Sequence, residues 1–172
     1  TLPVIGVTGS VGKTTTKDLI AAVLSSRYNT LKTEGNLNNQ IGVPLMLCKL
    51  DSSIQAAVLE MGMSGLGEIA LLATLAQPSI GVITNIGESH LEMLGSRENI
   101  AQAKSELLLH LPPEGVAIVN ADEPLLVRHL QNLQCQVMTF GFSSAATIRC
   151  ADVVSVGAAK KVVRSEERRV GK

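Results

Sequence analysis

The stretch from Pro3 to Leu24, PVIGVTGSVGKTTTKDLIAAVL, limits the chain more than any other. A short apolar run, Val4 to Val7, breaks at Thr8-Gly9 and passes through Gly12-Lys13-Thr14. It continues into a segment whose apolar residues, Leu19, Ile20, Val23 and Leu24, fall at helical spacing. The pattern predicts strand, glycine loop, helix. Backbone N–H groups in such a loop, with the positive end of the following helix, form a concave anion site that suits a polyphosphate. Lys13 is placed to reach terminal phosphates and the Thr14 hydroxyl to hold a magnesium ion. The wording is T-G-x-x-G-K-T and not the full G-x-x-x-x-G-K-[ST], because Val7 stands where the first glycine would be. A loop and helix that bind no nucleotide is the plain alternative.

The 172 residues can bury a substantial core, and the length suggests one domain. Apolar residues make up 45% and charged residues 17%, which excludes disorder for the bulk of the chain. Aromatics, at 2%, are too scarce for the stacking platforms that hold single-stranded nucleic acid, and they favour an aliphatic α/β core. The formal net charge is zero, yet six basic and two acidic residues lie from Lys160 onward, against nine basic and thirteen acidic before it. The body is mildly acidic and lacks a nucleic-acid footprint. Cys48, Cys135 and Cys150 are far apart and without metal-ligand spacing, as expected of free thiols in a reducing compartment. No signal-peptide pattern opens the sequence and no apolar run is long enough to cross a bilayer. A cytoplasmic setting, away from membranes, is expected.

Along the chain, Tyr28 to Lys32 reads as a short strand, Thr33 to Gly42 as a polar loop, and Val43 to Leu50 as a helix with Pro44 in its first turn. Ile54 to Met61 reads as a buried parallel strand with Glu60 where it emerges. Ligands gather beyond the carboxyl ends of such strands, so Glu60 can approach a magnesium ion at the phosphate loop, a solvated strand-end glutamate being the alternative. A helix over 67–76 leads to a strand over 80–86, then to the loop GESHLEMLGS, which carries His90 past a strand's carboxyl end. Arg97 to Leu111 has helical periodicity. Ile100, Lys104, Leu108 and Leu111 share one face, so Lys104 falls on an apolar stripe, where it must snorkel, be paired or be modified. A strand over 115–119, a helix over 125–133 and a strand over 137–141 follow, and 147–156 reads as an antiparallel extension. The alternation of β and α predicts an α/β, doubly wound, mostly parallel sheet.

Five motifs now stand in order: TGSVGKTTTK, EGNLNNQIGVPL, LEMG, TNIGESHLEMLGS and AQAKSELL. Together they resemble the central ATP-binding domain of the Mur ligases, over about residues 3–142. The resemblance implies a ligase of peptidoglycan precursor synthesis, adding D-alanyl-D-alanine to a UDP-N-acetylmuramoyl-tripeptide through an acyl phosphate, with ATP and Mg2+ as cofactors. It assigns Thr8, Gly9, Ser10, Val11, Gly12, Lys13, Thr14 and Thr15 to the ATP phosphates. Thr14 and Glu60 would hold one magnesium ion, and His90, with Lys104 as a carbamate, a second. Lys13, Glu60, His90 and Lys104 would be the catalytic set, and Thr33, Asn36, Asn38 and Asn39 would lie near the muramoyl-peptide. Another Mur ligase, a folylpolyglutamate-type synthetase, or a nucleotide-binding module without ligation chemistry stays open.

The same resemblance implies domains before and after this one, so the chain is expected to be an incomplete central domain, a monomer that binds nucleotide without ligating. The expected division is 1–157 for that domain and 158–172 for a basic tail. RSEERRVGK there resembles read-through sequence, and the tail is expected to pack against nothing.

Overall fold

The computed structural model describes residues 2–156 and 159–166. Among the described residues eight strands form one sheet, which the chain threads as βα units as far as β6. Strand β1 (Val4–Thr8) leads through helix α1 (Lys13–Ser25) to β2 (Thr30–Lys32), and α2 (Gly42–Leu47) leads to β3 (Ala56–Glu60). Helix α3 (Glu68–Ala76) precedes β4 (Ile80–Ile83), and α4 (Leu91–Leu94) and α5 (Arg97–Leu109) precede β5 (Val116–Asn120). Helix α6 (Pro124–Val127), β6 (Gln136–Gly141), β7 (Ile148–Val156) and β8 (Ala159–Glu166) complete the order. Among the described residues no helix is long and apolar enough to cross a membrane.

In space the strands run β2-β3-β1-β4-β5-β6-β7-β8, parallel as far as β7. All five residues of β1 and of β3 are buried, as a parallel sheet covered on both faces requires. One face carries Val4, Leu59, Ile83 and Val119 against apolar residues of α2, α3, α5 and α6. The other carries Ile5, Val7, Val58 and Val82 against Ala21, Ile20 and Leu24 of α1. Both faces being wound, the fold is the expected α/β class. The order reverses at β1, with β3 on one side and β4 on the other, so the loops leaving these three strands share one edge of the sheet.

Several expected elements differ in extent. The strand expected over 80–86 ends at Ile83, because Thr84 and Asn85 turn to the loop after β1: the Ser10 N–H donates to the Asn85 carbonyl at 3.0 Å. The loop after β4 contains α4, whose four residues are too few to show a period, and Met93 on it is 68% exposed. The helix expected over 125–133 is Pro124–Val127 and then turns; Glu123 starts it by accepting from the Leu125 N–H at 3.3 Å. The antiparallel extension expected over 147–156 is half right. β7 lies parallel to the last two residues of β6, Phe140 and Gly141, and antiparallel to β8. The expectation that the basic tail packs against nothing is corrected over 159–166, whose backbone pairs with β7; 167–172 lie outside the described residues.

Candidate functional site

The loop between β1 and α1 is shaped by two glycines. Gly9, at φ 146°, brings its backbone so close to β4's end that a Cβ there would lie 1.9 Å from the Thr84 hydroxyl oxygen. Gly12 takes the left-handed φ of 83° that turns the chain into α1, with open space where a side chain would be. Its carbonyl accepts the Thr16 N–H at 2.9 Å, so the N–H groups of Lys13, Thr14 and Thr15 form the first turn, where a helix has no internal acceptors to offer. With the positive end of a 13-residue helix behind them, these groups favour an anion.

Two lysines converge on this loop from different elements. The Lys13 ammonium folds back to the Gly9 carbonyl at 2.9 Å and lies 3.4 Å from that of Ser10. Lys104, 2% exposed on the inner face of α5, donates to the same Gly9 carbonyl at 3.1 Å. Helix α5 is aimed there by a Ser96 cap, whose hydroxyl accepts the Asn99 N–H at 3.1 Å. Burial, and then the nearby Lys13 charge, pull the Lys104 ammonium down from 10.5 to about 8. The apolar-stripe reading of Lys104 therefore holds in its strict form: the side chain does not snorkel.

Glu60 leaves β3 beside the loop. The Thr14 hydroxyl donates to its Oε2 at 2.9 Å and the Asn38 amide to its Oε1 at 2.8 Å, while its own N–H donates to the Thr33 hydroxyl at 2.8 Å. Thr33 and Asn38 are thereby engaged in holding Glu60. Asn39 caps the chain's entry into α2, accepting from the N–H groups of Ile41 at 3.1 Å and Gly42 at 2.8 Å. Asn36 is exposed, and among the described residues its side chain makes no hydrogen bond.

The structure thus brings together Gly9, Ser10, Lys13, Thr14, Glu60 and Lys104. His90 stands apart, exposed and left-handed at φ 68° at the start of α4, without a hydrogen bond to the others. Its neighbour Ser89 reaches the loop, 3.4 Å from the Ser10 carbonyl. Thr8 and Ser10 each keep a buried hydroxyl without a partner among the described residues, Val11 is exposed at the loop's tip, and Thr15 is exposed on the first turn. Among the described residues no three His, Cys, Asp or Glu side chains cluster as a metal cage. Glu60 with Thr14 instead offers hard oxygens of the kind magnesium accepts, one or two protein groups with phosphate and water completing the shell.

Some of the site carried no role in the sequence reading. Asn85 clamps the loop twice, its Oδ1 accepting the Val11 N–H at 2.9 Å and its amide donating to the Val11 carbonyl at 3.1 Å. The Thr84 hydroxyl donates to that same carbonyl at 2.7 Å. Both sit in the TNIGESH wording, but an asparagine after a strand looks like turn chemistry until its distant partner is seen.

The Mur ligase middle domain pattern matches residues 7–170. The chain belongs to this family. UDP-N-acetylmuramoyl-tripeptide–D-alanyl-D-alanine ligase of Synechocystis is 55% identical over 142 residues, which are 82% of this chain and 31% of that protein. Among solved structures, MurF from Acinetobacter baumannii superposes with a TM-score of 0.90 at 37% identity, over 96% of this chain and 36% of the other. MurF ligase from Thermotoga maritima, a complex with ADP, gives 0.88 at 31% identity, over 96% and 38%. The chain spans about a third of the length of these Mur ligases.

Proposed function

We propose that this chain is the ATP-binding part of a Mur ligase that adds D-alanyl-D-alanine to a UDP-N-acetylmuramoyl-tripeptide. The carrying observation is the 2.9 Å contact of the Thr14 hydroxyl with the Glu60 carboxylate, set against a phosphate-type loop on which two lysines converge. The likeness to the Synechocystis ligase supports the choice of substrates. The first turn of α1 and Lys13 bind the ATP phosphates, and Thr14 with Glu60 holds a magnesium ion. That ion, when bound, screens the repulsion between carboxylate and triphosphate and stabilises charge on the transferring phosphoryl group.

A carboxylate oxygen of the tripeptide attacks the γ-phosphorus and ADP leaves; the dipeptide amine then attacks the acyl carbon and phosphate leaves. No side chain of this chain acts as nucleophile, so its work is positioning and electrostatics. Lys104 is carbamylated in the working enzyme. Only a neutral amine takes up carbon dioxide, and burial, by pulling the Lys104 ammonium down to about 8, makes the neutral form far more accessible near neutral pH than in an ordinary lysine. The carbamate and His90 would hold a second metal ion, His90 contributing from the loop after β4. Asn36 faces the muramoyl-peptide, while Thr33, Asn38 and Asn39 shape the loop that presents it. The unit that binds ATP is residues 1–157, acting as a cytoplasmic monomer, with 158–172 outside the site.

Titration calorimetry with magnesium-ATP tests the binding half, and Glu60→Gln should lose the magnesium-dependent part. Phosphate release by the complete protein, given the UDP-muramoyl-tripeptide, tests the rest. Stimulation by a single amino acid in place of D-alanyl-D-alanine would overturn the substrate assignment.

A further inference from the structure

Lys17 is 3% exposed, yet it has no part in the phosphate site described above. It lies one turn into α1 beyond Lys13 and points to the other side of the loop. Its ammonium donates to the Thr33 carbonyl at 2.9 Å, and the carboxylate nearest it is Asp18 at 3.4 Å, itself half-exposed and bridged to Lys32 at 2.7 Å. What matters is which carbonyl Lys17 has taken.

β2 pairs parallel with β3 through Lys32 and Val58, and the Thr33 N–H continues that ladder to the Val58 carbonyl at 3.0 Å. In a regular parallel ladder the Thr33 carbonyl would next accept the Glu60 N–H. It does not. The Thr33 hydroxyl accepts that N–H at 2.8 Å, and the carbonyl faces Lys17. The chain leaves the sheet at this residue and loops over Glu60, whose Oε1 takes the Asn38 amide while the Asn38 carbonyl takes the Gly62 N–H at 2.7 Å. Thr33 is fully buried, so its carbonyl needs an acceptor's partner there, and Lys17 supplies it.

We propose that Lys17 is a positioning residue for Glu60. By holding the Thr33 carbonyl out of the β2–β3 ladder it keeps the Thr33 hydroxyl on the Glu60 backbone and the Asn38 amide on the Glu60 carboxylate, so that the carboxylate's other oxygen meets Thr14. The α1 helix thus sets both sides of the candidate metal site, Thr14 directly and Glu60 through Thr33. This rests on the reading of Glu60 as a magnesium ligand.

The test compares ADP binding by wild type and Lys17→Met, each in magnesium and in EDTA, with the Glu60 amide followed by NMR in the metal-free protein. Partners that orient a metal ligand typically contribute about 10- to 100-fold in metal affinity. Lys17→Met should lose about tenfold of magnesium-dependent ADP affinity while binding in EDTA stays as in wild type, and the Glu60 amide resonance should move. Either readout unmoved overturns the inference. Thr33→Val, which keeps the carbonyl for Lys17 and removes the hydroxyl, should give the same magnesium-dependent loss; it decides the matter if Lys17→Met does not fold, and wild-type behaviour of Thr33→Val overturns the relay. If magnesium fails to tighten ADP binding by wild type, the reading of Glu60 itself fails and takes the inference with it. If magnesium tightens wild type and Lys17→Met alike, that reading stands and this inference alone falls.

Discussion

Lys13 and Lys104 share one carbonyl, but they differ in what they cost the fold. Lys13 is partly exposed and held by backbone oxygens, so Lys13→Ala should change stability by no more than about 1 kcal/mol while magnesium-ATP binding falls about 100-fold or more. Calorimetry alongside thermal unfolding separates the two effects. Lys104 is a buried cation whose folded pKa, about 8, lies below its ordinary 10.5. Well below pH 8 it is protonated in both folded and unfolded chains and the burial penalty is present in full. Between pH 8 and 10.5 the unfolded chain binds the proton and the folded chain does not, so stability rises with pH across that window. At 1.36 kcal/mol per pKa unit the rise amounts to about 3 kcal/mol. Urea unfolding of wild type and Lys104→Met in carbon dioxide-depleted buffer checks it: the difference between the two should shrink as pH rises from 8 to 10.5. A difference independent of pH would mean that the ammonium is not buried as a charge.

The phosphate loop is an element fixed less by its own sequence than by the end of β4. Gly9→Ala would drive a methyl into the Thr84 hydroxyl at a φ few side chains adopt, so a loss of about 2–4 kcal/mol in urea unfolding is expected, together with nucleotide binding. Asn85→Ala removes both clamps on Val11 without a clash, and should weaken magnesium-ATP binding about tenfold with a smaller loss of stability, about 1 kcal/mol. Affinity unchanged in Asn85→Ala would show that the loop holds its shape unaided. The glycine loop, the buried strands and the α5 stripe with Lys104 were legible because each repeats a local rule: a turn that demands glycine, an unbroken apolar run, a 3.6-residue period. Asn85, Thr84 and Lys17 were not, since what they do depends on partners 16 to 74 residues away. Helix α4 escaped because its four residues bury only Leu94. The asparagines of the polar loop were seen, but the bonds of Asn38 to Glu60 and of Asn39 to the start of α2 were not, because composition cannot tell an asparagine that caps from one that faces a ligand.

Across the whole molecule, the site gathers at the inner strands β3, β1 and β4, whereas β8 of the basic tail is the edge strand at one end of the order. β8 lies five strands from β1, about 24 Å at the usual spacing of about 4.8 Å. Deleting residues 158–172 should therefore leave ADP affinity within about twofold of wild type while the melting temperature falls, because β7 loses its antiparallel partner. A large drop in affinity would place the tail within the functional unit after all. The sheet's centre has a further consequence in the order of synthesis. β1 pairs with β3 and β4 and not with the strand that follows it, and the loop beyond it is clamped by residues 73 and 74 positions later. At about 5–20 residues per second, roughly 4–15 s pass after Val11 is added before Thr84 and Asn85 exist to hold it. Until then β1 can pair with β3 on one side only and the glycine loop lacks its clamp, so the motif most easily recognised in this chain takes its shape only when a strand made well after it arrives.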